Sequence, residues 1–256
     1  YIEPSFVTIA AYKENAAMCH YHPSDEVCKK LKPEGLLLVD SGGQYLEGTT
    51  DITRTYALGP LTEKEKEYYT IVAAAMLKVS TMKFLHGCRG INLDYTIREA
   101  FWKRGLDFAH GTGHGVGYLL NVHESPNGFR WKHILGQNDL CVMEPGMVTS
   151  DEPGVYVDGK YGIRIENEIV CVRDYENEYG TFLKFKMLTC APIDLEAVYS
   201  AMGLAGNRRT AQLMSSILDH DTDKTLRDFN SMWMDGKDPA TLLTELSGLL
   251  RDTLMT

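Results

Sequence analysis

The stretch GLLLVDSGGQYLEGTTDITRTYAL, residues 35–58, carries the constraint that most limits how this chain can fold. Leu36–Val39 is a continuous apolar run of the kind that forms a buried strand. It ends directly on Asp40, where an ionised carboxylate is costly unless something compensates it. DITRTYAL alternates like a second strand, and Gly42, Gly43 and Gly48 supply turn geometry between the two, so the segment predicts a hairpin. Neighbouring strands lie about 4.8 Å apart. Asp51, on the facing strand, can therefore point at the same spot as Asp40. Taken singly, Asp40 reads as the cap of a turn at Ser41 and Gly42, and Asp51 as a residue at a strand edge.

The second half repeats the oddity. In GIRIENEIV, alternation puts Ile163 and Ile165 on one face and Arg164, Glu166 and Glu168 on the other. Glu152, in TSDEPG, ends another apolar strand and is fixed by Pro153 and Gly154. Alone, Glu152 reads as a turn residue and Glu166 as an ion-pair partner of Arg164. Between these segments lies HGTGHGVGYLLNVHE, with His110, His114 and His123 among glycines. Four carboxylates at strand ends with a histidine cluster between them make up the composition of a binuclear metal site, in which acidic groups bridge two cations and imidazole completes a shell. Cations and buried acids explain each other, since neither is tolerable alone.

The rest of the chain supplies a scaffold. SFVTIAAYKENAAMCHYHP opens with strand-like alternation, turns at Lys13 to Asn15 and runs to His20 and His22. Thr62 and Glu65 predict a capping box for a helix through TEKEKEYYTIVAAAMLKVSTMKF, with Ile71, Val72, Ala75, Val79 and Met82 on one face and Gly87 just beyond. A second helix fits NLDYTIREAFWKR, with Asn92 as N-cap and Gly105 as stop. GMVTSDEPGVY and YGIRIENEIVCV read as strands joined by a turn at Asp158 and Gly159. Hairpins, helices and further hairpins in this order predict an α+β domain over residues 1–198, its helices on one face of a mostly antiparallel sheet. Residues 199–256 hold helical spacing, as in Leu242, Leu243, Leu246, Leu249 and Leu250, with no site-like cluster, and read as a helical C-terminal tail.

At 256 residues and 44% hydrophobic, the chain can bury one large core. Its net charge of −9, with both signs interleaved, argues against nucleic acid or an anionic membrane as partner. Small molecules or peptides fit better. No apolar run reaches the roughly 18 residues of a membrane span, and no signal peptide is visible. The six cysteines show no CxxC and read as reduced core thiols of a cytoplasmic protein. HGTGHGVGY lacks GxGxxG at the required offsets, HESPN is not HExxH, and neither a P-loop nor GxSxG occurs.

VDSGGQYLEGTTDITRT, HGTGHGVGYLLNVHESP, VTSDEPGVY and YGIRIENEIV, in this order, resemble the catalytic domain of the Xaa-Pro aminopeptidases (aminopeptidase P), within the pita-bread metallopeptidases that also include prolidase, methionine aminopeptidase and creatinase. The likeness runs from about Ser5 to Val198. It implies the pita-bread fold, a strongly curved antiparallel sheet with helices on its outer face, preceded in the family by N-terminal domains that this chain does not show. It implies that Asp40 chelates one metal, that Asp51 and Glu166 bridge both, and that His114 and Glu152 complete the other shell. Glu152 would also be the general base, with His123 and His20 handling protons. His110 would line the proline subsite, and Arg164 would buttress the acids or the substrate. The expected cofactors are two divalent ions, Mn²⁺ first because the donors are oxygen-rich, then Co²⁺, Zn²⁺ or Fe²⁺. The expected substrate is a peptide with proline in second position, cleaved by a protein that is a homodimer in full length. A dipeptide-restricted prolidase and a non-catalytic peptide-binding module are the alternatives.

Overall fold

A computed structural model describes the chain apart from residues 23, 25–27, 135–140, 195–196, 198–204, 235–237, 240–241, 244–245 and 248–256. The chain divides into two compact units, Tyr1–Asp194 and Leu195–Thr256.

In the first unit, β1 (Glu3–Pro4) and β2 (Ile9–Tyr12) lead into a 3-10 turn, Lys13–Ala17. β3 (Leu36–Ser41), β4 (Gly43–Tyr45), β5 (Gly48–Thr49) and β6 (Ile52–Ala57) follow. Helix α1 (Glu63–Ser80), β7 (Lys83–Leu85) and helix α2 (Gly90–Trp102) come next. The rest is strand: β8 (Gly113–Val116), β9 (His123–Phe129), β10 (Val148–Asp151), β11 (Gly154–Val157), β12 (Tyr161–Arg164), β13 (Asn167–Asn177) and β14 (Gly180–Met187). The sheet orders are β2-β3-β6, β1-β4-β5, β11-β12 and β7-β14-β13-β10-β8-β9. Every paired ladder is antiparallel. The chain is thus a mixed helix and strand protein with antiparallel sheets.

The expected hairpin forms, with Asp40 opposite Thr53 and Ser41 opposite Ile52. Its connection is longer than a turn, because β4 and β5 make a small hairpin of their own that pairs with β1. Asp51 stands one residue before β6 rather than inside it.

Thr62 and Glu65 form the capping box of α1, and Ile71, Val72, Ala75 and Val79 are buried along one stripe with Tyr69 and Met76. The helix ends at Ser80, short of the expected Phe84. Lys83–Leu85 instead pairs with Phe182–Lys184, burying Phe84 against Phe185 at a ring separation of 5.0 Å. Strand pairing and burial of Phe84 override helical spacing here. The N-cap of α2 is Arg89, not Asn92. Asn92 lies inside the first turn and its Oδ1 accepts from the Arg89 N–H at 2.9 Å. Gly105 does stop the helix: at φ +67 it lets its own N–H reach Trp102 O and that of Leu106 reach Phe101 O, both at 3.0 Å.

All six cysteines are free thiols, but only Cys171 is buried, whereas Cys28 and Cys190 are exposed, which corrects the reading of the set as core residues. In the second unit, α3 (Ala205–Leu218) and α4 (Thr222–Met234) are helical, and Leu213, Met232 and Leu242 bury together with Phe229 and Leu246 against them. Leu243 is exposed, and Leu249 and Leu250 lie outside the described residues. Among the described residues no helix is long and apolar enough to cross a membrane.

β8 reaches its position only because Gly113 lacks a side chain: a Cβ there would sit 1.9 Å from the Ser150 carbonyl oxygen on β10. Gly113→Ala is therefore expected to cost on the order of 1–3 kcal/mol through overpacking, and to weaken divalent-metal binding by moving His114. An unchanged denaturation midpoint would contradict this close approach.

Candidate metal centre

The long excursion from β10 to β13 positions two of the acids. β10 pairs with β13, and β11 with β12, at one continuous register, so the four strands are two long strands interrupted once. The interruption falls at Glu152–Pro153 on one side and Ile165–Glu166 on the other. At this break the two backbones turn to other partners. The Glu152 N–H donates to Thr112 O at 2.8 Å and the Glu166 N–H to Thr53 O at 3.0 Å. The second bond joins this excursion to the β3–β6 hairpin, and Thr55 Oγ1 adds another by donating to Arg164 O at 2.8 Å. Arg54, buried beside it, donates to the carbonyl of Glu166 and, at 2.8 Å, to Asn167 Oδ1. Asp51 is held from the other side, its N–H donating to Glu168 Oε1 at 2.9 Å.

These bonds bring Asp40, Asp51, His114, Glu152 and Glu166 to the lining of a cavity of about 510 Å³. His114 Nδ1–H donates to Gly115 O at 2.8 Å, which leaves Nε2 to face the acids. Nε2 lies 3.4 Å from Asp51 Oδ2 and 3.3 Å from Glu152 Oε1. Asp51, His114 and Glu166 each offer an atom within 4.8 Å of the others. Arg164, only 3% exposed, donates to Asp40 Oδ2 at 2.6 Å. Asp40 Oδ1 is buried without a hydrogen-bond partner. The nearby Thr53 hydroxyl does not satisfy it, because its hydrogen goes to Glu166 Oε2 at 2.7 Å.

Charge is in excess here. Burial lifts Glu166 well above the ordinary carboxylate range, with repulsion from Asp51, Glu152 and Asp40 added. Burial pushes Glu152 up to about 6, although His114 and Arg164 pull it back. Asp40 is raised by burial too, the Arg164 guanidinium offsetting only part of the cost. Burial disfavours a charged His114, but its bonds and charges from Asp51 and Glu152 outweigh that and raise it. The donor set fits divalent cations on three grounds: an orphaned acid oxygen, an imidazole nitrogen aimed at carboxylates, and acids that repel one another where they stand.

The remaining expected residues line the same cavity in different ways. The His123 ring meets that of His114 edge to face, with centroids 4.1 Å apart, and desolvation with the neighbouring His114 keeps it below its ordinary pKa. His20 is an exposed lining residue, and so is His22, for which the sequence offered no role. His110 is the most constrained. Arg164 only donates, and its Nη1 gives a hydrogen to Tyr156 Oη at 2.9 Å. The Tyr156 hydrogen then goes to His110 Nε2 at 2.8 Å, and His110 Nδ1–H to Gly111 O at 2.7 Å. Burial holds His110 down at about 4, so it lines the cavity as a neutral ring whose nitrogens are both engaged. Tyr156, Thr53 and Glu168 have no motif-level signal. Glu168 alone was indicated, by sharing the face of Arg164 and Glu166.

The sequence profile of metallopeptidase family M24 matches residues 1–173. The chain is 44% identical over 202 residues to the probable Xaa-Pro aminopeptidase P of Talaromyces marneffei, a match covering 77% of this chain and 30% of that one. The relative of the same name from Paracoccidioides brasiliensis is 45% identical over 193 residues, 74% of this chain and 31% of its own. The chain thus spans about a third of the length of the curated relatives it matches. Among solved structures it is similar to X-prolyl aminopeptidase from Caenorhabditis elegans, a cytosolic enzyme with a di-nuclear active site, at TM-score 0.71 and 35% identity over 89% of this chain and 38% of that one. It is also similar to the prolidase of Thermococcus sibiricus, at TM-score 0.62 and 32% identity over 75% of this chain and 47% of that one.

A pH dependence follows from the raised acids. A carboxyl whose folded pKa is raised contributes stability that is full below its unfolded value and lost as pH rises through the folded value. For Glu152 that window runs from 4.5 to about 6. A cation takes the place of the proton, so its binding releases protons and offsets the loss. The gain in melting temperature on adding Mn²⁺ should therefore grow between about pH 5 and pH 7.5, with proton release detectable by calorimetry in buffers of different ionisation enthalpy. A gain that is flat or shrinks over this range would contradict the protonated acids.

Proposed function

We propose that this chain, which belongs to metallopeptidase family M24, forms the binuclear-metal catalytic part of a peptidase that releases the N-terminal residue from peptides with proline in second position. The observation that carries the reading is the convergence of Asp40, Asp51, His114, Glu152 and Glu166, from separate strands and loops, on the lining of one cavity. The names of the relatives and the di-nuclear site of the Caenorhabditis elegans protein support it. In this reading Asp40 would hold one metal, His114 and Glu152 would hold the other, and Asp51 and Glu166 would serve both. Oxygen-rich donors favour Mn²⁺. The pita-bread arrangement, with a strongly curved sheet and helices on its outer face, is the architecture this reading implies. A cytoplasmic setting and a homodimer of the full-length protein come with it.

When bound, the two cations supply Lewis acidity and make water a nucleophile at neutral pH. The chain handles the protons. Glu152, on the cavity beside the His114 imidazole, is the group placed to take a proton from the attacking water and return it to the leaving amine. His123 is neutral at that pH and can donate to the carbonyl oxygen as it gains charge. His20 stands on the same cavity as a second proton-handling group. Arg164 keeps Asp40 in place, and through Tyr156 it orients His110, which lines the cavity where the proline would sit in this reading.

The test is hydrolysis of an Xaa-Pro-Yaa tripeptide by the full-length protein loaded with Mn²⁺. Binding of about two equivalents with release of the first residue is expected. Cleavage of Xaa-Pro dipeptides alone would assign the protein to prolidase, and full occupancy without turnover would make it a binding module. Glu152→Gln should lower turnover at least a hundredfold, on the scale of lost general-base catalysis, and near-wild-type turnover would remove Glu152 from the mechanism. His123→Ala should lower turnover with bound metal unchanged; metal loss in that variant would place His123 among the ligands.

A further inference from the structure

A buried ion pair stands behind the loop that precedes β8. Asp94 and Arg98, one turn apart on α2, are 0% and 1% exposed, and Arg98 Nε donates to Asp94 Oδ2 at 2.7 Å. The other nitrogens of Arg98 all reach the loop. Nη1 donates to Asp107 Oδ1 at 2.5 Å and to Phe108 O at 2.8 Å, and Nη2 donates to His110 O at 2.6 Å. The guanidinium also lies over the Phe108 ring, 3.9 Å from its centroid. Asp94 uses its second oxygen on the same loop, accepting from the buried Thr112 hydroxyl. Thr112 is pinned at its N–H as well, which donates to Phe129 O at 2.9 Å.

Two of these bonds end on backbone carbonyls, so the fork fixes where the chain runs. What it fixes is next to the metal centre. Glu152 sits at the break between ladders, and Thr112 O is the acceptor that its N–H has found. His110, on the same loop, carries the ring held by Tyr156. A buried ion pair is a poor way to gain stability compared with apolar residues of the same volume, but its directional donors can hold a glycine-containing loop in one arrangement.

We propose that Asp94 and Arg98, acting through Thr112, are positioning residues for the reaction: they set the backbone from which Glu152 and His110 project. The inference rests on the functional reading above, and its test includes a readout independent of turnover. Thr112→Val keeps the shape and removes the hydroxyl given to Asp94; Thr112→Ser keeps the hydroxyl. In the full-length protein, Thr112→Val should lower kcat for an Xaa-Pro-Yaa tripeptide about tenfold, with KM within about threefold and two equivalents of Mn²⁺ retained. Thr112→Ser should recover kcat to within about threefold of wild type. Arg98→Lys, which keeps the charge and loses the fork, should act in the same direction as Thr112→Val. Wild-type kcat in Thr112→Val, equal loss in Thr112→Ser, or loss of metal in parallel with kcat would each overturn the proposal.

Hydrogen exchange separates the two failures. Amides of residues 108–114 and 152 should lose protection in Thr112→Val and keep it in Thr112→Ser, and unchanged protection in both would overturn the positioning role. If the wild-type protein hydrolyses no peptide, the functional reading fails, and exchange alone decides whether the network holds the loop.

Discussion

Repulsion between buried acids is the constraint on which the rest of the structure depends. Asp40, Asp51, Glu152, Glu166 and Glu168 are drawn together with Arg164 as the guanidinium bonded directly to one of them and His114 as the imidazole facing two others. Packing cannot repay such a gathering, because an unpaired buried charge costs more than an apolar neighbour returns. The chain meets the cost with raised pKa values, which let acids keep protons, and with the ion pair between Arg164 and Asp40. Both are partial. Asp40 Oδ1 remains without a partner, and the complete solution for this donor set is positive charge of the density that divalent cations carry.

Holding the acids still against that repulsion is the work of the backbone. Glu152 and Glu166 stand opposite each other at the break, and their N–H groups point outward to Thr112 and Thr53, which belong to different parts of the unit. The break thus ties the β3–β6 hairpin, the loop before β8 and the excursion from β10 to β13 into one frame. Arg54 strengthens the same joint by donating to the Glu166 carbonyl. Interrupted pairing is common next to functional sites because it re-aims side chains.

How much of this was legible depended on whether the signal was local. A carboxylate ending an apolar run, as at Asp40, is visible because a single strand contradicts itself. The capping box at Thr62 is visible because both halves lie within one turn. The end of α1 was not, since it depends on Phe84 finding Phe185, a residue far along the chain. Reading Asn92 as the N-cap starts α2 three residues too late: its side chain does bond at the helix start, but from inside the helix. Tyr156, Thr53 and Arg98 carry no motif because their roles exist only through partners on other elements, and His22 reads as bland until the cavity brings it beside His20.

The wall of the cavity, and not its acids, is where substrate length must be read. In the proposed reading the donors act on the bond before proline, and that bond is the same in a dipeptide and in a longer peptide. The similarity of this chain to structures named for X-prolyl aminopeptidase and for prolidase fits this division, since a shared fold and site carry the shared chemistry. Discrimination then falls to groups that meet whatever follows the proline. His110 is too fully bonded to vary its polar contacts, and Arg164 is committed to Asp40 and Tyr156. Phe6, Val7, Val122 and Arg130 also line the cavity and add apolar surface and a guanidinium to its wall. In the proposed reading an aminopeptidase would use that surface to receive a continuing peptide, whereas a dipeptidase would need it to meet a carboxylate at once.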